Sequence, residues 1–116
     1  MAEDIPLVRW LDRDFHVYDA RITAWNGVPG LYIFAREDSA QRVWCALYVG
    51  QTNSFEDRIP THEKWPEARE LGATHVHARV EQDAFLRTAL ERQLIQAFRP
   101  PLNAVTPGSS FGGPQP

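Results

Sequence analysis

The sequence predicts a small α/β (α+β) domain, and three features carry the prediction. Two apolar runs, 31–36 and 42–49, are separated by a short polar loop, and this spacing predicts a β-hairpin. Residues 73–80 alternate between apolar and polar side chains, as a half-buried strand does. Residues 83–98 carry an apolar stripe at helical spacing and form the clearest helix. At 116 residues, the chain is expected to fold as one compact domain.

The N-terminal segment, residues 1–28, is expected to be an extension that packs on the domain. Within it, residues 10–15 are predicted to form a short helical or irregular lead-in. Partial alternation over 16–22 favours a strand there. Turn signals at Asn26-Gly27 and Pro29-Gly30 then separate this segment from the first strand of the hairpin.

Short helices are predicted between the hairpin and the third strand. Residues 50–54 supply a glycine turn and candidate N-caps for a helix that starts near Phe55. Pro60 interrupts this helix, because an interior proline removes a hydrogen bond and clashes with the preceding turn. Residues 66–71 suit another short helix, which begins with a proline and is closed by Gly72.

The last part of the chain divides into a helix, a return segment and a tail. Gln82 or Asp83 can cap the helix 83–98, and Pro100-Pro101 ends it. The main domain is expected to span 29–105. The tail, 106–116, is rich in proline, glycine and serine and is expected to be flexible.

Alternation within the hairpin assigns side chains to faces of the sheet. Tyr32 and Phe34 are predicted to share one face of the first strand, and Trp44, Ala46 and Tyr48 one face of the second. In the third strand His75 and His77 share a face. No third ligand lies at a suitable spacing, so these two histidines are interpreted as strand-face residues and not as a metal site.

Composition limits the location and partners of the protein. The first residues carry no basic and apolar leader, and no apolar run is long enough to span a bilayer, so a cytoplasmic protein without a membrane partner is expected. Cys45 is the only cysteine, which rules out an intramolecular disulfide. The net charge of −3 is not typical of a protein that grips nucleic acid alone, so weak or assisted binding is expected.

Two tyrosine tripeptides, Gly30-Leu31-Tyr32 and Tyr48-Val49-Gly50, are the most informative motifs. They are followed by Arg58 and His62 four residues apart, by Glu91 in the long helix, and by Asn103 after Pro-Pro-Leu. In this order the motifs resemble those of the GIY-YIG nuclease superfamily over about two thirds of the chain.

The resemblance implies a small three-stranded antiparallel sheet flanked by helices. It also implies a divalent-metal-dependent endonuclease that hydrolyses nucleic-acid phosphodiester bonds with Mg²⁺ or Mn²⁺. DNA is expected before RNA as the substrate, with little intrinsic sequence specificity. No base-reading element is recognisable in the sequence, so specificity is expected to come either from a protein partner that supplies targeting or from the shape of the substrate.

The resemblance also assigns roles to the six motif residues. Glu91 would be the metal ligand, and Arg58 would contact the scissile phosphate through its guanidinium fork. One of the two tyrosines would be the general base or would position the attacking water. Tyr32 is preferred as the base and Tyr48 as the supporting phenol, although a phenol titrates normally near ~10 and must be activated. His62 would bond Tyr32 and accept its proton, or bind a phosphate. A surface salt bridge of Arg58 with Glu56, Asp57 or Glu63 is the competing interpretation.

Asn103 would orient Glu91 or bond near the metal, although as a turn residue it needs no such function. Pro60 is a departure from the family pattern that affects how Arg58 and His62 are aimed. Pro60 and the negative charge favour an alternative, a catalytically degenerate domain that binds nucleic acid or protein. The presence of all six motif residues argues against that alternative. A third hypothesis, an unrelated protein with chance tripeptides, predicts no hairpin sheet.

Overall fold

The computed structural model describes residues 5–22, 24–38, 40–41 and 43–103. The predicted tail and the last two residues of the predicted domain lie outside the described residues. No helix in the described part of the chain is long and apolar enough to cross a bilayer. In chain order the elements are the strands β1 (Leu7–Trp10), β2 (Arg13–Asp19), β3 (Gly30–Asp38) and β4 (Val43–Thr52), the helices α1 (Phe55–Arg58) and α2 (Trp65–Glu70), the strand β5 (His75–Val80), the helix α3 (Ala84–Phe98) and a 3₁₀ turn (Pro101–Asn103).

The sheet has five antiparallel strands in the order β1-β2-β5-β3-β4, so the expectation of three strands is wrong. The predicted strands β3, β4 and β5 form one side of it. The other two strands come from the N-terminal segment, where β2 pairs with β5 and places Val17 opposite His77. The described part of this segment is therefore a structural part of the sheet.

The β1–β2 hairpin was not expected, because its turn carries no turn-forming sequence. Leu11 and Asp12 both have positive φ, 51° and 63°, as a two-residue hairpin turn requires. Asn-Gly usually fills such a turn, whereas Leu-Asp gives no signal of it. Residues 10–15 are consequently a hairpin and not a helical lead-in, and the predicted strand 16–22 is shifted to Arg13–Asp19.

The central strand β3 is buried on both faces and separates two hydrophobic clusters. On one face, which we call the α3 face, Leu31, Ile33, Ala35 and Val49 pack against Leu90 and Leu94 of α3. On the opposite face, which we call the tyrosine face, the buried side chains come from β3, β5, α1 and α2: Tyr32, Phe34, Phe55, Ile59, Ala68, Val76 and Ala78.

A register shift in β4 determines which face Tyr48 occupies. Ala35 pairs with Ala46, but Phe34 pairs with Tyr48, so Leu47 is an extra residue on β4. Trp44 and Ala46 pack on the α3 face, whereas Tyr48 packs on the tyrosine face. The prediction that Trp44, Ala46 and Tyr48 share a face is therefore wrong, because the bulge reverses the alternation.

The helices follow the predicted signals. Ser54 caps α1, which ends at Arg58 after one turn, so Pro60 lies outside the helix. A proline lies in the first turn of α2, and Gly72 follows it with a φ of 100°. Asp83 accepts hydrogen bonds from the backbone N–H groups of Phe85 and Leu86 and starts α3 as predicted.

A buried hydrogen bond joins the N-terminal hairpin to the centre of the sheet. The Trp10 indole Nε1–H donates to His77 Nδ1 at 3.0 Å, and His77 is fully buried. Burial, with a smaller contribution from the charge of His75, lowers the pKa of His77 to about 3. The imidazole is therefore neutral in the folded protein and carries its proton on Nε2.

We expect stability to fall as the pH is lowered from 7 to 5. The unfolded chain binds a proton at His77 near pH 6.5, whereas the folded protein does so only near pH 3, and the pKa of His62 is likewise lowered to about 4. Between these values the unfolded state binds more protons, so acid favours unfolding by about 2 kcal/mol for each histidine at pH 5. Urea unfolding at pH 7 and pH 5 measures this loss.

His77→Gln should lose about half as much stability as the wild type over the same pH interval. The glutamine keeps an acceptor for Trp10 but does not titrate, so only the contribution of His62 remains. An equal loss in variant and wild type would show that His77 does not carry the pH dependence.

Candidate functional site

Two phenols and an imidazole form a compact cluster on the tyrosine face. The ring centroids of Tyr32 and Tyr48 are 6.3 Å apart, and His62 lies 5.4 Å from Tyr32 and 5.0 Å from Tyr48. Tyr32 is 1% exposed, whereas Tyr48 is half-buried. Of the two hydroxyl-bearing rings, Tyr48 is therefore the one that solvent can approach.

The glycines of both tripeptides are explained by close contacts. A Cβ on Gly50 would lie 2.5 Å from the Oη and Cζ atoms of Tyr32, so the phenol ring can pack only against a residue without a side chain. A Cβ on Gly30 would lie 2.2 Å from the backbone oxygen of Arg79 and 2.4 Å from Phe55 Cζ. The motif glycines thus make room for Tyr32 and for the packing of α1 on the sheet.

His62 reaches Tyr32 from the turn that follows α1. Its Nε2 lies 2.7 Å from Tyr32 Oη, and its Nδ1 accepts a hydrogen bond from the backbone N–H of Lys64 at 3.0 Å. A backbone N–H only donates, so Nδ1 carries no proton, and the neutral ring must be protonated at Nε2. His62 therefore donates to the oxygen of Tyr32. The resting hydrogen bond thus runs from His62 to Tyr32, and proton transfer to His62 or phosphate binding by it stays a prediction.

The electrostatics of the cluster keep all three groups neutral near pH 7. Burial, reinforced by the charge of Arg58, lowers the pKa of His62 to about 4. Burial also raises the pKa of both Tyr32 and Tyr48, and the nearby Arg58 guanidinium partly opposes this effect. The phenols are protonated, and Arg58 is the group that favours their ionised forms.

Arg58 lies close enough to both phenols to lower their pKa values, but its guanidinium nitrogens are already bonded to a carboxylate. Its Nη1 and Nη2 atoms donate to Oε1 and Oε2 of Glu63 at 2.7 and 2.8 Å, which makes a bidentate ion pair. This hydrogen bonding raises the pKa of Arg58 and lowers the pKa of Glu63 to about 2. The salt bridge that competed with phosphate contact in the sequence interpretation is thus formed, with Glu63 as the partner. Pro60 does not turn Arg58 away from the tyrosines.

Glu91 lies on α3, beside the edge strand β4. Its Oε1 accepts a hydrogen bond from Gln51 Nε2 at 3.0 Å, and its charge contributes to the raised pKa of Tyr48. The side chain is half-buried and forms no ion pair within the described residues. No cluster of three or more potential metal-ligating side chains exists there either. A single unpaired carboxylate fits a hard cation that keeps several water ligands, as Mg²⁺ does.

Asn103 bonds to the edge of the sheet instead of to Glu91. Its Oδ1 accepts from the Val49 backbone N–H at 2.8 Å, and its Nδ2 donates to the Val49 oxygen at 2.9 Å. These two bonds satisfy both backbone groups of an edge-strand residue and hold the 3₁₀ turn against β4. Asn103 forms no hydrogen bond with Glu91, and its two bonds hold the strand that carries Tyr48. A role of Asn103 near the metal stays a prediction.

The structure therefore brings Tyr32, Tyr48, Arg58 and His62 together on the tyrosine face, with Glu91 at the adjacent sheet edge. His77 lies in the α3-face cluster, packed between Trp10 and Trp44, and is not part of the site. Sequence reasoning named Glu63 only as a competing partner of Arg58. It gave no site role to Gln51 or to Arg87, which precedes Glu91 by one helical turn.

This arrangement is that of a GIY-YIG fold, and solved structures establish the fold. The GIY-YIG N-terminal endonuclease domain of UvrC from Thermotoga maritima, bound to its catalytic magnesium, matches with 24% identity and a TM-score of 0.57. The match covers 71% of this chain and 90% of that one. Two variants of that domain, also bound to the catalytic divalent cation, cover 72% of this chain and 90% of theirs. A tyrosine-to-phenylalanine variant matches at 24% identity and TM-score 0.58, and an asparagine-to-alanine variant at 25% and 0.56.

No protein-family model matches the sequence, and no curated protein matches it. At this level of identity the solved structures confirm the predicted fold family.

The protonation state of His62 can be tested directly. We expect ¹⁵N-resolved NMR spectra at pH 7 to show a neutral ring with its proton on Nε2, because the Lys64 amide occupies Nδ1. Tyr32→Phe should leave this tautomer unchanged, since the amide remains. A proton on Nδ1, or a charged ring at pH 6, would contradict the assignment.

Proposed function

We propose that the protein is an endonuclease that depends on a divalent cation and hydrolyses phosphodiester bonds in DNA. The observation that carries the proposal is the convergence of Tyr32, Tyr48, His62 and Arg58 on one face, with Glu91 at the adjoining edge. The same fold is found in a domain that is an endonuclease with a catalytic divalent cation.

Glu91 would hold the cation, Mg²⁺ or Mn²⁺, through its carboxylate. When bound, such a cation neutralises charge on a phosphoryl oxygen and polarises the phosphate. The half-buried position of Glu91 leaves room for water and phosphate ligands, which this small ion retains.

Arg58 would bind the scissile phosphate with the fork that now binds Glu63. Carboxylate and phosphate present similar pairs of oxygens to a guanidinium, so one can replace the other without moving Arg58 far. In this position the guanidinium would stabilise the negative charge that develops on the phosphate oxygens.

Tyr48 would position the attacking water, because it is the more exposed phenol. Tyr32 is too buried to meet a water molecule directly, which moves the role of general base away from it. Its oxygen accepts the Nε2–H of His62, so its own hydroxyl hydrogen is free to point elsewhere in the cluster. Tyr48 would accept a proton only where Arg58 lowers its pKa enough, and otherwise it orients the water by hydrogen bonding.

A binding module without catalysis is the second candidate, and the Arg58–Glu63 pair favours it. If the pair does not open, the phosphate has no access to the guanidinium fork. Under either function, the net charge of −3 supports the proposal that a protein partner supplies targeting.

We expect the purified protein to cut plasmid, linear, branched or single-stranded DNA when Mg²⁺ or Mn²⁺ is added. Glu91→Gln and Arg58→Ala should each lower the rate about 100-fold or more, because each removes stabilisation of the transition state. Gel assays under single-turnover conditions measure the rates, with RNA as a further substrate.

The exposed residues Glu70 and Arg92 provide matched controls, as Glu70→Gln and Arg92→Ala, which should cut at the wild-type rate. Cutting that survives in both site variants would reveal a contaminating nuclease. Absence of cutting by the folded wild type on every substrate would favour the binding module.

Glu63→Gln should bind DNA about two- to fivefold more tightly than the wild type, the size expected for an exposed ion pair. The amide competes less well for Arg58, so the fork is released for phosphate. Fluorescence anisotropy with labelled DNA and no divalent cation measures the affinity.

The matched control is Glu67→Gln, which removes the same charge from a residue that pairs with Lys64 at 3.6 Å. Equal tightening in both variants would mean that net charge alone is responsible and that Glu63 does not control access to Arg58.

A further inference from the structure

Arg87 is a buried arginine that is held by neutral acceptors. It is 4% exposed and forms no ion pair within the described part of the chain. Its Nη1 donates to the backbone oxygens of Glu81 and Gln82 at 2.9 and 3.1 Å, and its Nη2 donates to Asn53 Oδ1 at 2.8 Å. Its Nε donates to Gln51 Oε1 at 3.3 Å. Two of its four acceptors thus belong to residues that directly follow the second tripeptide, Gln51 at the end of β4 and Asn53 in the turn after it.

The contact with Arg87 fixes the orientation of the Gln51 amide. A guanidinium can only donate, so the side-chain oxygen of Gln51 must face Arg87 and its NH₂ group must face away. One N–H then donates to Thr88 Oγ1 at 3.1 Å and the other to Glu91 Oε1 at 3.0 Å. Thr88 Oγ1 uses its own hydrogen on the Ala84 oxygen, which leaves a lone pair for Gln51. The direction of each bond is therefore set by the arginine.

The oriented Gln51 amide restricts the Glu91 carboxylate. Its Oε1 is engaged by Gln51, whereas its Oε2 receives no hydrogen bond within the described residues. The two oxygens of the carboxylate are thus made different, and the rotation of the group is restricted by a bond from the sheet. A carboxylate held in this way presents one oxygen to a cation.

We propose that Gln51, oriented by Arg87, is a positioning residue that holds Glu91 as a one-oxygen ligand for the divalent cation. This inference rests on the proposed function, in which Glu91 binds the cation. It adds Arg87, from the start of α3, and Gln51, from the end of β4, to the machinery of the site. Under this proposal both residues act through Glu91 and not on the substrate itself.

A purely structural role would give a different result. Arg87 also ties α3 to the Asn53 turn and to the segment before the helix, and this role needs no bond from Gln51 to Glu91. Gln51→Leu keeps a side chain of similar length against α3 but cannot donate to Glu91. The variant separates packing from positioning, since Gln51 is only half-buried and its loss is compatible with folding.

The experiment measures Mn²⁺ binding to the full chain in the absence of nucleic acid, by the electron paramagnetic resonance signal of free Mn²⁺. We expect Gln51→Leu to bind Mn²⁺ about 10- to 100-fold more weakly than the wild type, as is typical when a group that orients a metal ligand is lost. Cutting by this variant should return when the Mn²⁺ concentration is raised, because Glu91 is still present. Glu91→Gln should not be rescued.

Arg87→Lys tests the second step. It should weaken Mn²⁺ binding in the wild-type background but not in the Gln51→Leu background, if arginine acts through glutamine. Gln93→Leu is the matched control, because it makes the same change at an exposed position of α3 and should leave Mn²⁺ binding unaltered. Circular dichroism and thermal melting verify that each variant is folded.

Equal Mn²⁺ affinity of folded Gln51→Leu and wild type would overturn the positioning role and leave the proposed function standing. A further loss on Arg87→Lys in the Gln51→Leu background would overturn the relay from Arg87. Equal Mn²⁺ affinity of Glu91→Gln and wild type would instead overturn Glu91 as the ligand, and the proposed function with it.

Discussion

The bulge at Leu47 is the constraint on which the candidate site depends. One extra residue in β4 reverses the alternation for everything after it. Tyr48 and Gly50 therefore face Tyr32 and His62, while Val49 and Gln51 face α3 and Glu91. With a regular strand, the phenol would lie under α3 and the glutamine would lie among the tyrosines. Both halves of the site, the phenol cluster and the carboxylate, are aligned by the same irregularity.

The two buried histidines, His62 and His77, are in the same tautomer, but the hydrogen bonds around them have different effects. In His62 and His77 alike, Nδ1 accepts a hydrogen bond, from the Lys64 amide and from the Trp10 indole respectively. The proton is therefore on Nε2 in both rings. In His62 that proton reaches a phenol, whereas in His77 the Nε2 atom is buried without a partner in the described part of the chain. The His62 ring thus directs an N–H donor toward the candidate site. The burial of His77 disfavours protonation of its ring, and its bond with Trp10 fixes the N-terminal hairpin to the core.

The sequence predicted the central elements because their signals are local. The strands β3, β4 and β5, the cap of α3 and the order of the tripeptides can each be recognised within a few residues. The N-terminal hairpin was not predicted, because Leu11-Asp12 is not a sequence that is typical of a turn with two positive φ angles. The bulge was not predicted, because Leu47 lies in an apolar run and nothing in that run marks which residue is the one without a partner on β3. Gln51 and Arg87 are 36 residues apart, so only the packed fold shows that they share a hydrogen bond.

The distribution of charge is compatible with the phosphate contact that is proposed for Arg58 in an acidic chain. Several surface cations are neutralised locally, since Arg9 pairs with Asp14, Arg21 with Asp19 and Lys64 with Glu67. These pairs leave little positive field to hold a nucleic-acid backbone over a wide area. Arg58 differs because its fork lies beside the two phenols, where the carboxylate of Glu63 occupies the place proposed for the phosphate. Recognition would then depend on the exchange of one anion for another at a single guanidinium. Under the proposed function, such a site would select a backbone whose shape brings a phosphate to Arg58, and it would give little affinity to other backbones.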